Sequence, residues 1–282
     1  MNVRGAVAQL FGADRFPQER YDWPPGDPGL FGPDSVTWRV HADASMFVGG
    51  IAALLLQSLH PRAAAVVASS SRFRTEPLHR LGRTASFVAA STYAGTPVAT
   101  EVIDAVRATH ARIPGASDPE LLRWVHVAEV TSFLAAYRRF NLRPVDADRY
   151  YDETAVVGEL LGAAPLPRSR DEVRAYYEGI RPELSASEAS RELVSFLQRP
   201  FGPDPAVRAT YILFVQAAMG QLPGWARGLH GMHTLPGTDR LVVRPATCAV
   251  LNALRVALGP SPLLRTSRQR ASQPLHAETS RR

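Results

Sequence analysis

The sequence predicts an all-α, many-helix single domain, and three observations carry that prediction. Apolar residues recur at helical spacing over long segments. Capping residues followed by proline open several of these segments, and proline or glycine closes them. No alternating run of useful strand length occurs, Asp239 to Arg244 being the best weak candidate. A chain of 282 residues with 45% hydrophobic content can bury a large core. Residues 1–34 are assigned to an extended N-terminal arm, 35–262 to the helical domain and 263–282 to a basic, solvated tail.

The arm is rich in Pro, Gly and Asp, as in Asp22-Trp23-Pro24-Pro25-Gly26-Asp27, and turn chemistry of that density forms no element of its own. From Asp43 to His60 the chain is apolar nearly all round, which predicts burial on every side. Gly49-Gly50 interrupts it, marking the close approach of a crossing helix or of a flat ligand. Pro61 breaks the run, and Arg62 to Ser71 resumes as an Ala/Val-rich helix. Thr75, Glu76 and Pro77 suit the start of the next helix. On that helix Arg80 and Thr84 share one face, with Arg83 close to it, as a surface pair or as an inward-directed site.

The segment Pro119 to Phe140, PELLRWVHVAEVTSFLAAYRRF, is the central helix. Asp118 is its N-cap and Pro119 its first residue. Leu122, His126, Val130, Phe133 and Tyr137 form one stripe, so His126 points inward as a structural histidine or as a ligand. Helices follow over Asp146 to Leu161, Asp171 to Ile180, Ser187 to Gln198, Val207 to Met219 and Val243 to Leu258.

Several chemistries are excluded. The chain has no lysine, so it carries no Walker-type phosphate loop. Cys248 is the only cysteine, which removes disulfides and Cys-based zinc sites. HExxH and G-x-S-x-G are absent. His230 and His233 have metal-ligand spacing but no acidic or histidine partner near in sequence. No aromatic–basic interleaving or recognition helix is evident, so nucleic acid is not an expected partner. The apolar run Ser45 to Leu59 is too short to span a bilayer, and the N-terminus lacks a signal-peptide pattern. A soluble cytoplasmic protein without a membrane span is the expectation. Buried helices carrying His60, His79 and His126, together with arginines, suit a flat apolar cofactor with a metal centre and anionic edges.

The ordered blocks Gly49-Gly50, Leu54-Leu55-Leu56-Gln57, His60-Pro61, Arg80-Leu81-Gly82-Arg83-Thr84, Asp118 to His126 and Tyr150-Tyr151-Asp152-Glu153 resemble the oxygenase family that includes the fungal MpaB oxygenase and the catalytic domain of rubber oxygenase (latex-clearing protein). The resemblance covers roughly residues 35 to 258. It implies a globin-like haem pocket, haem b and chemistry with dioxygen on a small-molecule substrate. The alternative is a haem or small-molecule binding protein without turnover, such as a sensor or carrier. By the same resemblance His126 is the iron ligand, Arg80 and Thr84 are catalytic pocket residues, and Arg83 and His60 line the cofactor. Arg83 stands where relatives carry a lysine that can approach the iron, and a permanently charged guanidinium is a very poor ligand. The acidic residue that rubber oxygenases carry upstream of the arginine has no counterpart between Asp43 and Glu76.

Overall fold

The computed structural model describes residues 20–69, 77–199, 204–232, 235–259 and 261–274; the side chains of residues 77–81 and of Pro236 lie outside that description. Every regular element among the described residues is helical. In chain order they are α1 (Val36–His41), α2 (Met46–Gln57), α3 (Pro61–Ser69), α4 (Pro77–Tyr93), α5 (Thr96–His110), α6 (Pro119–Phe140), α7 (Ala147–Leu160), α8 (Arg170–Ile180), α9 (Glu188–Leu197), α10 (Pro205–Gln221), α11 (Gly224–Leu229), α12 (Arg244–Leu258) and α13 (Pro262–Ser272).

Helix α6 is the centre. Asp118 caps it by accepting hydrogen bonds from the backbone N–H groups of Glu120 and Leu121, and Pro119 occupies its first turn. Its buried residues include Leu121, Trp124, Val127, Ala128, Val130, Phe133 and Tyr137. Helix α2 runs antiparallel along it. A Cβ placed on Gly49 would come within 3.2 Å of the Phe133 backbone, while Trp124 donates its indole N–H to the Gln57 carbonyl and Gln57 donates back to the Val125 carbonyl. Helices α1, α3, α7, α10 and α12 complete the surround of α6. The glycine pair thus divides its work: Gly49 admits the crossing helix, while Gly50 has open space where a side chain would be.

Helix α4 packs chiefly on α5, α1 and α13, and its Val88 packs against the cluster that includes Val130 and Phe133 of α6. The arm is pinned at its C-terminal end. Arg270 of α13 is fully buried and donates to the carbonyls of Tyr21, Asp27 and Tyr93. Gly29, at φ +76°, packs so tightly that a Cβ there would lie 2.4 Å from the Ala94 carbonyl oxygen. This differs from the reading of 263–282 as a solvated tail: α13 opens that segment, and the arginine that looked like surface charge ties three backbone oxygens. Residues 275–282 lie outside the described residues.

The weak strand candidate is also corrected. Asp239–Val243 is a π-helical turn leading into α12. Its β-branched residues continue a helix, and Asp239 is drawn inward by an ion pair with Arg139. Asp239–Leu258 is long and apolar enough, by length and composition, to cross a membrane, and little of it is buried. The same test passes α2 and α3 taken together, although they are bent by 107° at His60-Pro61.

Candidate active site

The stripe on α6 turns His126 into the interior, as its spacing predicts. Its ring makes no hydrogen bond among the described residues, and burial pushes its pKa down to about 4. It is nonetheless partly accessible. Gly158 of α7 makes room for it. A Cβ on that glycine would lie 2.9 Å from His126 Nδ1 and 2.5 Å from Leu166 Cδ1. The Nδ1–Cγ edge therefore faces α7, and Nε2 is turned away from it. A neutral imidazole whose ring nitrogens make no hydrogen bond among the described residues has what a metal ligand needs.

Three polar residues accompany it. His41, at the end of α1, makes a 2.8 Å hydrogen bond between Nδ1 and Thr92 of α4, and a 3.0 Å bond between Nε2 and the Tyr150 hydroxyl of α7. Burial first, and then the neighbouring His126, push the His41 pKa down to about 3. Tyr150 is fully buried, and its phenol is pushed far up by burial and then by the nearby Glu129. Glu129 sits one turn beyond His126 on α6, and burial raises its carboxyl to about 7. Phe133 closes this side with its ring 5.4 Å from His41.

The Tyr150-Tyr151-Asp152-Glu153 block has a clear structural role. Glu153 accepts from both the backbone N–H and the hydroxyl of Thr37, each at 2.9 Å, while Tyr150 holds His41 one turn along α1. Two residues three apart on α7 thereby fix two residues four apart on α1.

Other predicted residues are placed differently. His60 is buried at the α2–α3 break, 6.1 Å from the Trp124 ring, with Nε2 3.8 Å from a Glu183 carboxylate oxygen. Trp124 and His126 are two positions apart and so project from nearly opposite sides of α6; the structure does not bring His60 to His126. Thr84 and Arg83 are exposed on α4. The backbone of Arg80 belongs to α4, but its side chain lies outside the described residues, as does that of His79. His230 donates from Nε2 to the Leu55 carbonyl at 2.9 Å, and His233 lies outside the described residues. No cluster of three metal-ligating side chains occurs among the described residues.

Sequence reasoning missed His41, Glu129, Tyr150 as a site residue, and Gly158. One signal was available. Glu129 is the only carboxylate between Glu120 and Phe140, and it sits at i+3 from His126. His41, Tyr150 and Gly158 had no local signal, because each is brought in from a different helix.

A family model described as "ER-bound oxygenase mpaB/B'/Rubber oxygenase, catalytic domain" matches residues 38–253. No curated protein and no solved structure matches the chain.

Proposed function

The chain belongs to the mpaB/rubber oxygenase catalytic-domain family, and from that premise we propose that it is a haem b-dependent oxygenase acting with dioxygen on a small apolar substrate. The observation that carries the haem reading is His126: an inward, neutral imidazole, without a hydrogen-bond partner among the described residues and given room by Gly158. Haem would fit these residues through an imidazole ligand on α6, and the arginines of α4 would suit its carboxylate edges. Bound haem would supply the iron that activates dioxygen.

The chain's own residues do the rest. His126 would hold the iron. Arg80 and Arg83, on one helix, would pair with the carboxylate edges of the haem, and Thr84 lies on the same helix. His41, fixed by Thr92 and Tyr150, and the Phe133 ring form a wall that limits water and positions an apolar substrate.

The test is expression with added haem. The purified protein should be red with a Soret band, and His126→Ala should lose it while keeping its helical circular dichroism. A folded His126→Ala protein with full haem content and an unchanged spectrum would move the ligand elsewhere. Oxygen consumption with a reductant and candidate apolar substrates separates an oxygenase from a carrier.

A further inference from the structure

The π-turn and α12 form one continuous helical rod, Asp239–Leu258, about 30 Å long. One side of it is committed to the protein. Thr247 and Leu251 are buried, and Val243, Cys248, Val250 and Leu254 pack against the main core. The other side faces solvent. Leu241, Pro245, Ala249, Ala253 and Val256 recur at helical spacing, so they form one stripe, and every one is exposed. Leu241 is 75% exposed, Val242 beside it 59% and Val256 85%. A lone exposed Leu or Val is ordinary, but large apolar side chains aligned along the whole outer face of a helix mark a contact surface.

The charge around this stripe has one sign. No Asp or Glu occurs from Arg240 to Ala277, whereas Arg240, Arg244, Arg255, Arg265, Arg268 and Arg270 all lie in that segment. Asp239, the acid just before it, is paired with Arg139. Arg255 is engaged by Asp43, and Arg270 by backbone carbonyls. Arg240 and Arg244 are exposed, one turn apart, at the N-terminal end of the stripe. Arg244 donates to the Arg139 carbonyl, and no carboxylate pairs with either arginine among the described residues. Arg265 and Arg268 are exposed on the following helix, α13.

An apolar ridge edged by guanidinium groups matches a surface that is apolar within and anionic at its boundary. We propose that the outer face of α12 docks on an anionic phospholipid surface, with Leu241, Val242 and Val256 entering the acyl boundary and Arg240 and Arg244 pairing with lipid phosphates. The helix lies along that surface and does not cross it. Its inner side is packed on α6 and α10, and Arg255 within it is tied to Asp43. A second copy of the chain is the poorer occupant. A two-fold contact sets a patch against itself, and here it would oppose arginine to arginine with no acid between them. The proposal is independent of the haem reading.

The experiment is flotation of the purified full chain with vesicles of phosphatidylcholine alone, or of phosphatidylcholine mixed with phosphatidylglycerol. The wild type should float with the mixed vesicles and not with the neutral ones, and alkaline carbonate should release it. Leu241→Glu combined with Val256→Glu should weaken binding by roughly tenfold or more, because two apolar side chains no longer leave water. Arg240→Gln combined with Arg244→Gln should weaken binding to the mixed vesicles by roughly tenfold. All four positions are exposed, so helical circular dichroism and Tm should match the wild type. A polarity-sensitive dye on Ala253→Cys, in a Cys248→Ser background, should shift to the blue when mixed vesicles are added; this readout stands even where a glutamate variant does not fold. No flotation, equal binding to neutral vesicles, undiminished binding in either double variant, or retention through carbonate overturns the proposal. So does a dimer in sedimentation that Leu241→Glu dissociates, which would assign the face to a second copy.

Discussion

At the scale of single residues, burial displaces the titration of three groups in the interior. His41 and His126 have pKa values lowered to about 3 and about 4, below the unfolded value of about 6.5. The unfolded chain therefore binds protons that the folded chain refuses, and stability falls as pH drops below about 6.5 toward those folded values. Glu129 acts in the opposite direction. Its pKa is raised to about 7, so the folded state holds a proton that the unfolded state releases above about 4.3. Its contribution is fully present below the unfolded pKa and is lost as pH rises through the folded one. Glu129→Gln should therefore stabilise the protein at pH 8 relative to wild type by roughly 2–3 kcal/mol, and the gain should shrink toward zero near pH 4. Urea unfolding at the two pH values reads the difference directly. An equal effect at both would mean that Glu129 titrates normally. The sequence reading left this carboxylate off the α6 stripe, although its spacing of three from His126 was there to be read; its burial was not legible, because that depends on helices distant in the chain.

At the scale of elements, glycine positions separate contact from space. Gly49→Ala would drive a methyl against the Phe133 backbone at 3.2 Å, and is expected to cost about 1–2 kcal/mol through overpacking. Gly50→Ala meets nothing within 4 Å, and should stabilise α2 by about 0.5–1 kcal/mol through helix propensity. Thermal denaturation of the pair gives opposite shifts in Tm. Gly158→Ala is a third case. Its methyl would collide with Leu166 and with the His126 ring, so haem retention in dialysis should fall further than the loss of stability explains. The helices themselves were legible: Asp118, Pro119 and the apolar stripe define α6 to its ends, and Asp146 caps α7 as its side chain predicts. The π-turn at Asp239–Val243 was not, since nothing in its five residues announces that Arg139, far back in the chain, pairs with Asp239.

At the scale of the molecule, the arm and α13 behave as one unit around Arg270. Arg270→Met would remove donors from three backbone carbonyls in a buried site. The expected cost is about 2–4 kcal/mol, since each stranded acceptor loses its partner without regaining water. Denaturant midpoints measure it. An unchanged midpoint would show the arm to be held by Tyr21, Trp38 and Tyr93 packing alone. The sequence placed Arg270 in a run of positive charge, and charge counting has no way to distinguish an arginine in solvent from one that organises carbonyls. The helical class followed from local periodicity, whereas this clasp joins residues more than 240 positions apart.

The clasp has a mechanical consequence for α4. That helix is gripped at Tyr93 and Ala94, at one end, while Arg80, Arg83 and Thr84 ride near the other, so it is mounted like a cantilever about 25 Å long. A small change of angle at the mount is magnified at the far end of the helix, where Arg83 and Thr84 are exposed. Residues 21–29 and α13 thereby set the direction in which α4 leaves its mount.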